Sequence, residues 1–298
     1  MASQPVHGGH PLLAAPLHPS VAAEGLPSKA RASLELFRVW NGAVAALGAL
    51  LGASLAAGGI EVTLPVALAA LGALLVNGGG NGLNDYFDLA VDRVNRPDRP
   101  IPSGRLTQRG ALRLSLGASA AGVALAFAAA PAAGAVAAMN GGLLALYARY
   151  SKRMLVTGNL LVSALVASVF PYGALVTTGN IASVLPITLC AFLSGLSLEV
   201  VKDIEDVRGD AANGARTLPL YAGTGASRII AVGSMAAAVA LSPGPFLAGG
   251  LSPLYWAFVG PADALFIAAV LVRPSLGRKA ISLGMGLVLA GLAAGLLF

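Results

Sequence analysis

Charge is scarce in this chain. Only 11% of its 298 residues are Asp, Glu, Lys or Arg, against about a quarter in an ordinary soluble domain, which excludes a water-exposed globule. Aromatic residues are also few, at 6%, and the apolar runs are long. Together these exclude a membrane barrel of alternating ten-residue strands with aromatic girdles. The single cysteine, Cys190, can form no internal disulfide. The only histidines, His7, His10 and His18, lie in the first 30 residues, which are rich in Pro, Gly, His and Ala and lack the basic start of a signal peptide. Residues 1–30 read as a mobile tail, and dispersed histidines there reflect its composition more simply than a metal site.

What the chain has in abundance is hydrocarbon: 56% apolar residues and a mean hydropathy of +0.78. At about 20 residues per span, nine transmembrane helices are predicted, at 32–58, 62–83, 109–130, 134–150, 157–178, 181–203, 226–241, 254–272 and 279–298. The expected fold is all-α, a polytopic membrane domain over 31–298 whose first partner is the lipid bilayer. All 19 Lys and Arg fall in the N-terminal tail, at its junction with span 1, or around the connections after spans 2, 4, 6 and 8. By the positive-inside rule the N-terminus and the even-numbered loops are expected to be cytoplasmic. The formal net charge of +6 is then a one-sided membrane signature, with no nucleic-acid partner implied.

Against this background two acidic clusters stand out. Asp85, Asp88 and Asp92 spell D-x-x-D-x-x-x-D at the end of span 2, and Asp203, Asp206 and Asp210 repeat it at the end of span 6. Each precedes a long polar connection, about 92–108 and 204–225, that ends in a proline-containing turn. The clusters lie four spans apart and so open on the same face, as in a duplicated four-helix unit with a ninth helix added. If each helix continues through its motif, Asn84, Asp88 and Asp92 form one stripe, drifting roughly 40° per step. Glu199, Asp203, Asp206 and Asp210 form another. Asp85 lies off the first stripe, so its loss is expected to matter less than that of Asp88.

Like charges at this spacing repel, and carboxylates beside hydrocarbon persist mainly with a charged partner. For a single cluster, a solvated helix end neutralising nearby arginines is an equally good reading. Two matching clusters on one face favour a shared guest. Mg²⁺ takes hard oxygen ligands and is held by one or two carboxylates completed by substrate phosphates. The expected cofactor is therefore Mg²⁺ and the expected donor a prenyl diphosphate, its leaving group neutralised by metal and its tail lodged among apolar helices. Asn84, Asp88, Asp92, Asp203, Asp206 and Asp210 are the candidate metal ligands, and Asp88, Asp92, Asp206 and Asp210 the candidate catalytic set. Arg38, Lys152 and Lys202, with Asn84, are candidates for binding substrate. Arg38 stands one turn from Asn41, while Lys152 and Arg153 equally satisfy the positive-inside rule. Tyr86, Tyr147 and Tyr150 can shield a carbocation with their ring faces, though an interfacial aromatic belt accounts for them more simply. Asp263, within apolar span 8, has no assigned role.

The run from Asn84 through Asp92, followed by Asn95-Arg96-Pro97 and Arg99-Pro100-Ile101-Pro102-Ser103-Gly104-Arg105, resembles the UbiA-type intramembrane prenyltransferases. Their first motif, N-x-x-x-D-x-x-x-D, is matched by Asn84, Asp88 and Asp92, and their second acidic motif by Asp203, Asp206 and Asp210. The resemblance covers nearly all of the chain from Arg38 onward. It implies a nine-helix bundle whose central cavity opens to the cytoplasmic side and laterally to lipid. Within that superfamily, Glu199-Val200-Val201-Lys202-Asp203-Ile204-Glu205-Asp206 and Gly214-Ala215-Arg216-Thr217-Leu218-Pro219 are similar to archaeal digeranylgeranylglyceryl phosphate synthases. These imply a lipophilic acceptor, geranylgeranylglyceryl phosphate, in ether-lipid synthesis. Prenylation of 4-hydroxybenzoate or another quinone precursor is the alternative, although the D-x-x-Y-A-x-x-D motif usual there is absent. A metal-coupled transporter is the alternative from another class, but transporter sites lie near the bilayer midplane on broken helices, whereas these clusters run into loops. A CDP-alcohol phosphotransferase is disfavoured by the missing D-G-x-x-A-R signature.

Overall fold

The computed structural model describes residues 28–150, 154, 156–177, 181–212 and 214–298. The expected tail up to residue 27, with His7, His10 and His18, lies outside them, as do Lys152 and Arg153. The described residues form thirteen α-helices, one 3₁₀ turn and no strand. In order they are α1 (Ser28–Phe37), α2 (Val39–Ala57), α3 (Leu64–Phe87), α4 (Leu89–Asn95), α5 (Gln108–Ala129), α6 (Pro131–Tyr150), α7 (Val156–Ala167), α8 (Val169–Thr177), the 3₁₀ turn Ile181–Val184, α9 (Leu185–Ala212), α10 (Leu218–Leu241), α11 (Gly244–Leu247), α12 (Tyr255–Leu271) and α13 (Pro274–Leu297).

Among the described residues, eight helical segments are long and apolar enough to cross a bilayer, and the eighth expected span, 254–272, is the shorter helix Tyr255–Leu271. This is a multi-pass membrane protein. Three boundaries depart from the hydropathy reading. The first expected span is two helices, interrupted at Arg38 (φ 46°, ψ 59°). The seventh starts at Leu218 rather than 226, because polar residues dilute the hydropathy of its first turns, and it bends at Gly223 (φ 84°). The helix of span 2 stops at Phe87, with Asp88 (φ −86°, ψ 4°) joining α3 to α4. Apolar content marks where hydrocarbon surrounds a helix, not where its backbone bends.

Small residues set the packing. A Cβ on Gly79 would lie 2.6 Å from the Ser115 carbonyl oxygen, and one on Gly72 2.8 Å from that of Gly122, so α3 and α5 meet backbone to backbone. Such close approach lets helices associate in lipid, where burial of apolar surface no longer discriminates. The helix carrying each acidic motif packs mainly on the helix after its loop, α3 on α5 and α9 on α10, while α13 runs against α12, α9 and α2.

Candidate active site

The loop after α4 folds back under α1. Ile101 and Leu106 are buried with Ala32 and Leu36, the Leu106 amide donates to the Pro100 carbonyl at 2.9 Å, and Arg105 pairs with Glu35 at 2.6 Å. This anchoring delivers Arg99 to the first acidic cluster. One Arg99 nitrogen, Nη1, lies 3.0 Å from Asp85 Oδ1 and 2.7 Å from Asp92 Oδ2, and Arg38 Nη2 lies 2.7 Å from the same Asp85 oxygen. Asp85 and Asp92 are both buried. Arg38 also donates to Asn81, which in turn donates to Asn77. Arg38 occupies a left-handed backbone conformation that costs a non-glycine residue about 1–3 kcal/mol; its two side-chain bonds hold it there.

The break at Asp88 does not interrupt the backbone ladder: the Asp88 amide donates to Asn84 and the Asp92 amide to Asp88, both at 2.9 Å. The side chains nevertheless part company. Asn84 Nδ2 donates to Asp88 Oδ2 at 3.2 Å, and both line a cavity of about 1020 Å³. Asp92 turns to Arg99 and is not among the lining residues.

The second cluster is built differently. α9 runs unbroken through it. Glu199 and Lys202 line the cavity mouth and pair at 2.6 Å. Asp203 accepts from Asn159 Nδ2 of α7 at 2.8 Å. Asp206 is exposed and Asp210 half-buried, and neither lines the cavity. The two motifs meet around α6: Asp88, Glu199 and Asp203 all lie within Coulombic reach of the Tyr147 hydroxyl. Tyr147 lines the cavity, whereas Tyr86 packs edge-on against Phe87 and Tyr150 lies against Arg149. Beyond this polar mouth the walls are apolar, formed by residues such as Val166, Phe170, Ile187, Leu198, Val259 and Phe266.

The structure thus brings Arg38, Asn84, Asp88 and Lys202 to one cavity mouth, sets Asp203 beside it, and leaves Asp92, Asp206 and Asp210 off its lining. Sequence reasoning missed Arg99 and Asn159. The signal for Arg99 was present in the basic loop that follows the motif; nothing in the sequence marked Asn159.

The UbiA prenyltransferase family model matches residues 45–283. The chain belongs to this family. Among UbiA relatives, the digeranylgeranylglyceryl phosphate synthase of Methanopyrus kandleri is 45% identical over 240 residues, which cover 80% of this chain and 87% of that protein. A solved structure from work on digeranylgeranylglyceryl phosphate synthase in membranes aligns with a TM-score of 0.76 at 30% identity, covering 91% of this chain and 99% of the other. A UbiA homologue from Archaeoglobus fulgidus bound to GPP and Mg²⁺ shares the fold, with a TM-score of 0.65 at 18% identity over 89% of this chain and 99% of the other.

Proposed function

We propose that this UbiA-family enzyme transfers a geranylgeranyl group from its diphosphate to the free hydroxyl of geranylgeranylglyceryl phosphate, forming the second ether bond of an archaeal lipid. The observation that carries this reading is the cavity: an acidic and cationic mouth continuous with an apolar body large enough for a prenyl tail, in a chain closely related to enzymes of that name. In the reaction the allylic C–O bond breaks, diphosphate departs, the acceptor oxygen bonds to the freed carbon, and the hydroxyl proton is lost.

The donor set at the mouth is made of hard oxygens, which fits Mg²⁺. Among the described residues no three His, Cys, Asp or Glu side chains gather into a closed metal cage. Mg²⁺ is typically held by one or two carboxylates and completed by substrate phosphates. Asn84 and Asp88 from the first motif, with Asp203, Asp206 and Asp210 from the second, are the residues that would hold it, whereas Asp92 is engaged by Arg99. Bound there, Mg²⁺ would neutralise the charge that builds on the leaving diphosphate.

The protein's own groups do the rest. Arg38 and Lys202 face the cavity mouth and supply donors for phosphate oxygens, with Lys152 as a third candidate from the end of span 4. Glu199 holds Lys202 in place at 2.6 Å. The Tyr147 ring covers the same mouth, where its face can stabilise positive charge on the allylic carbon. The apolar walls exclude water that would otherwise capture that carbon. The positive-inside distribution supports a topology in which α12 also crosses the bilayer, as the eighth of nine spans, and the mouth faces the cytoplasm.

The test is purified protein with radiolabelled geranylgeranyl diphosphate and competing acceptors. Geranylgeranylglyceryl phosphate is expected to be consumed at least tenfold faster than 4-hydroxybenzoate. Preference for the aromatic acceptor would overturn the acceptor assignment and leave prenyl transfer standing.

A further inference from the structure

Ether formation leaves one proton to place. As the acceptor oxygen bonds to the allylic carbon it gains positive charge, and stranding that charge among apolar walls is costly. Those walls also exclude the water that would otherwise take the proton. A protein group inside the cavity must accept it, within hydrogen-bond reach of the reacting hydroxyl.

Among the described residues, three carboxylates line the cavity: Asp88, Glu199 and Asp263. Asp88 belongs with Asn84 to the residues that would hold Mg²⁺, and its Oδ2 accepts from Asn84 at 3.2 Å. Asp263 has one oxygen on Ser242 at 2.7 Å and the other fully buried. Glu199 differs from both. It belongs to the acidic stripe of α9 but not to the D-x-x-D-x-x-x-D motif that follows it. Lys202 Nζ binds its Oε1 at 2.6 Å, and 17% of its side chain remains accessible, so it meets the cavity space.

The helix that carries Glu199 sets its depth. α9 runs without a break from Leu185 to Ala212, and Ile187, Cys190, Ser194 and Leu198 line the cavity ahead of Glu199. Glu199 stands four residues inward of Asp203 (203 − 199), about 6 Å at about 1.5 Å per residue. A diphosphate held by ions at the mouth has its allylic carbon on the inner side, because the tail occupies the apolar body. The acceptor hydroxyl therefore meets that carbon at the level of Glu199, inside the metal-holding carboxylates.

We infer that Glu199 is the general base of the reaction, with Lys202 fixing its carboxylate. This rests on the ether-forming reading of the site and adds a catalytic residue to it. The hydroxyl oxygen bonds to the allylic carbon, and the C–O bond to diphosphate breaks, its electron pair leaving with the diphosphate. The hydroxyl proton passes to Glu199 and returns to water at the mouth once the products leave.

The experiment measures single-turnover rates with saturating geranylgeranyl diphosphate and Mg²⁺ in wild type and Glu199→Gln. Two acceptors are compared: geranylgeranylglyceryl phosphate and its analogue with a thiol in place of the reacting hydroxyl. A thiol ionises unaided at about pH 8.5, so its transfer bypasses a general base, whereas that of an alcohol does not. Glutamine keeps the size of the side chain and an oxygen for Lys202 but cannot take the proton. Hydroxyl transfer is expected to fall at least about a hundredfold, within the range of general-base effects, and thiol transfer less than about tenfold. The thiol-to-hydroxyl rate ratio should therefore rise at least about tenfold, with the Kd of an unreactive donor thiolodiphosphate changed less than about threefold. A smaller rise in that ratio overturns the base and leaves Glu199 as a holder of Lys202 alone. Glu199→Ala supports the same measurement if the glutamine variant does not fold. Transfer to neither acceptor by wild type would instead overturn the reaction itself, and the inference with it.

Discussion

The two acidic motifs share one sequence pattern and differ in almost every structural respect. In the first, the helix breaks at Asp88, two of three aspartates are buried, and both are tied to Arg99. In the second, α9 is unbroken, no arginine among the described residues pairs with Asp203, Asp206 or Asp210, and Asp206 faces solvent. A repeated motif is thus not a repeated site. The first cluster spends two of its three carboxylates on holding a folded loop against α3 and presents Asp88. The second offers its carboxylates from a straight helix end, with Asn159 steadying one of them.

If the proposed metal joins these unlike halves, removing it is the largest perturbation available. Exhaustive chelation is expected to abolish turnover and added Mg²⁺ to restore it, as followed by radiolabelled product. Turnover that survives chelation would leave the carboxylate stripes without their guest.

Asp88→Asn comes next, with turnover expected to fall about a thousandfold, the size of effect seen when one group stabilising transition-state charge is removed. Thermal unfolding in detergent should not change, since Asp88 faces the cavity. Asp85→Asn should invert this pattern. It sits in a buried cluster with two guanidinium partners, so its loss is expected to lower the unfolding temperature more than it lowers kcat per folded molecule. An Asp85→Asn protein as stable as wild type but as inactive as Asp88→Asn would place Asp85 in the chemistry instead.

How far these differences could be read from sequence follows from what each depends on. The membrane class, the helical fold and the approximate spans came from hydropathy, which averages over some twenty residues and tolerates local irregularity. The convergence of Asn84 and Asp88 came from their spacing of four, because the backbone bonds of that register survive the break. The partners of Asp85 did not come through. Arg38 lies 47 residues before it and Arg99 lies in a loop whose path depends on packing Ile101 and Leu106 beneath α1. Reading Asp85 as mattering less than Asp88 because it leaves the stripe weighs only the metal-facing side, and the ion pairs that a carboxylate off that side makes are not part of it. Arg38, too, was placed inside an apolar span, where it in fact forms a helix break.

A comparison of arginines carries the same contrast to smaller effects. Arg99→Ala strands Asp92 and takes one of two cations from Asp85; breaking a buried pair costs about 3–5 kcal/mol, and Arg38 remains beside Asp85, so the lower end is expected. Arg278→Ala removes the 2.8 Å pair with Glu205 beside the second motif. That pair is substantially exposed, with 43% and 27% of the two side chains accessible, and such pairs contribute about 0.2–1 kcal/mol. Unfolding of both variants in the same detergent should therefore show a clear drop for Arg99→Ala and almost none for Arg278→Ala. Equal drops would mean that the first cluster is no more buried in solution than the second.

The smallest effect expected on activity is at Asn159. Its amide donates a side-chain hydrogen bond to Asp203, and α7, which carries it, packs chiefly on α9. Asn159→Ala leaves the Asp203 carboxylate in place with one donor fewer, a loss of about 1.5–3 kcal/mol when the acceptor is charged. Part of that loss is offset because Asp203 is only half-buried and water can replace the amide. If Asn159 merely secures α7 to α9, the variant should unfold slightly earlier with kcat and KM unchanged. If it holds Asp203 in position for the diphosphate and its metal, the concentration of Mg²⁺ giving half-maximal rate should rise several-fold with little change in unfolding. The second outcome is expected, because the bond ends on a motif carboxylate beside the cavity mouth and not on the packing surface. A Mg²⁺ dependence identical to wild type would remove Asp203 from the metal-holding set and leave the second motif with only Asp206 and Asp210 for that role.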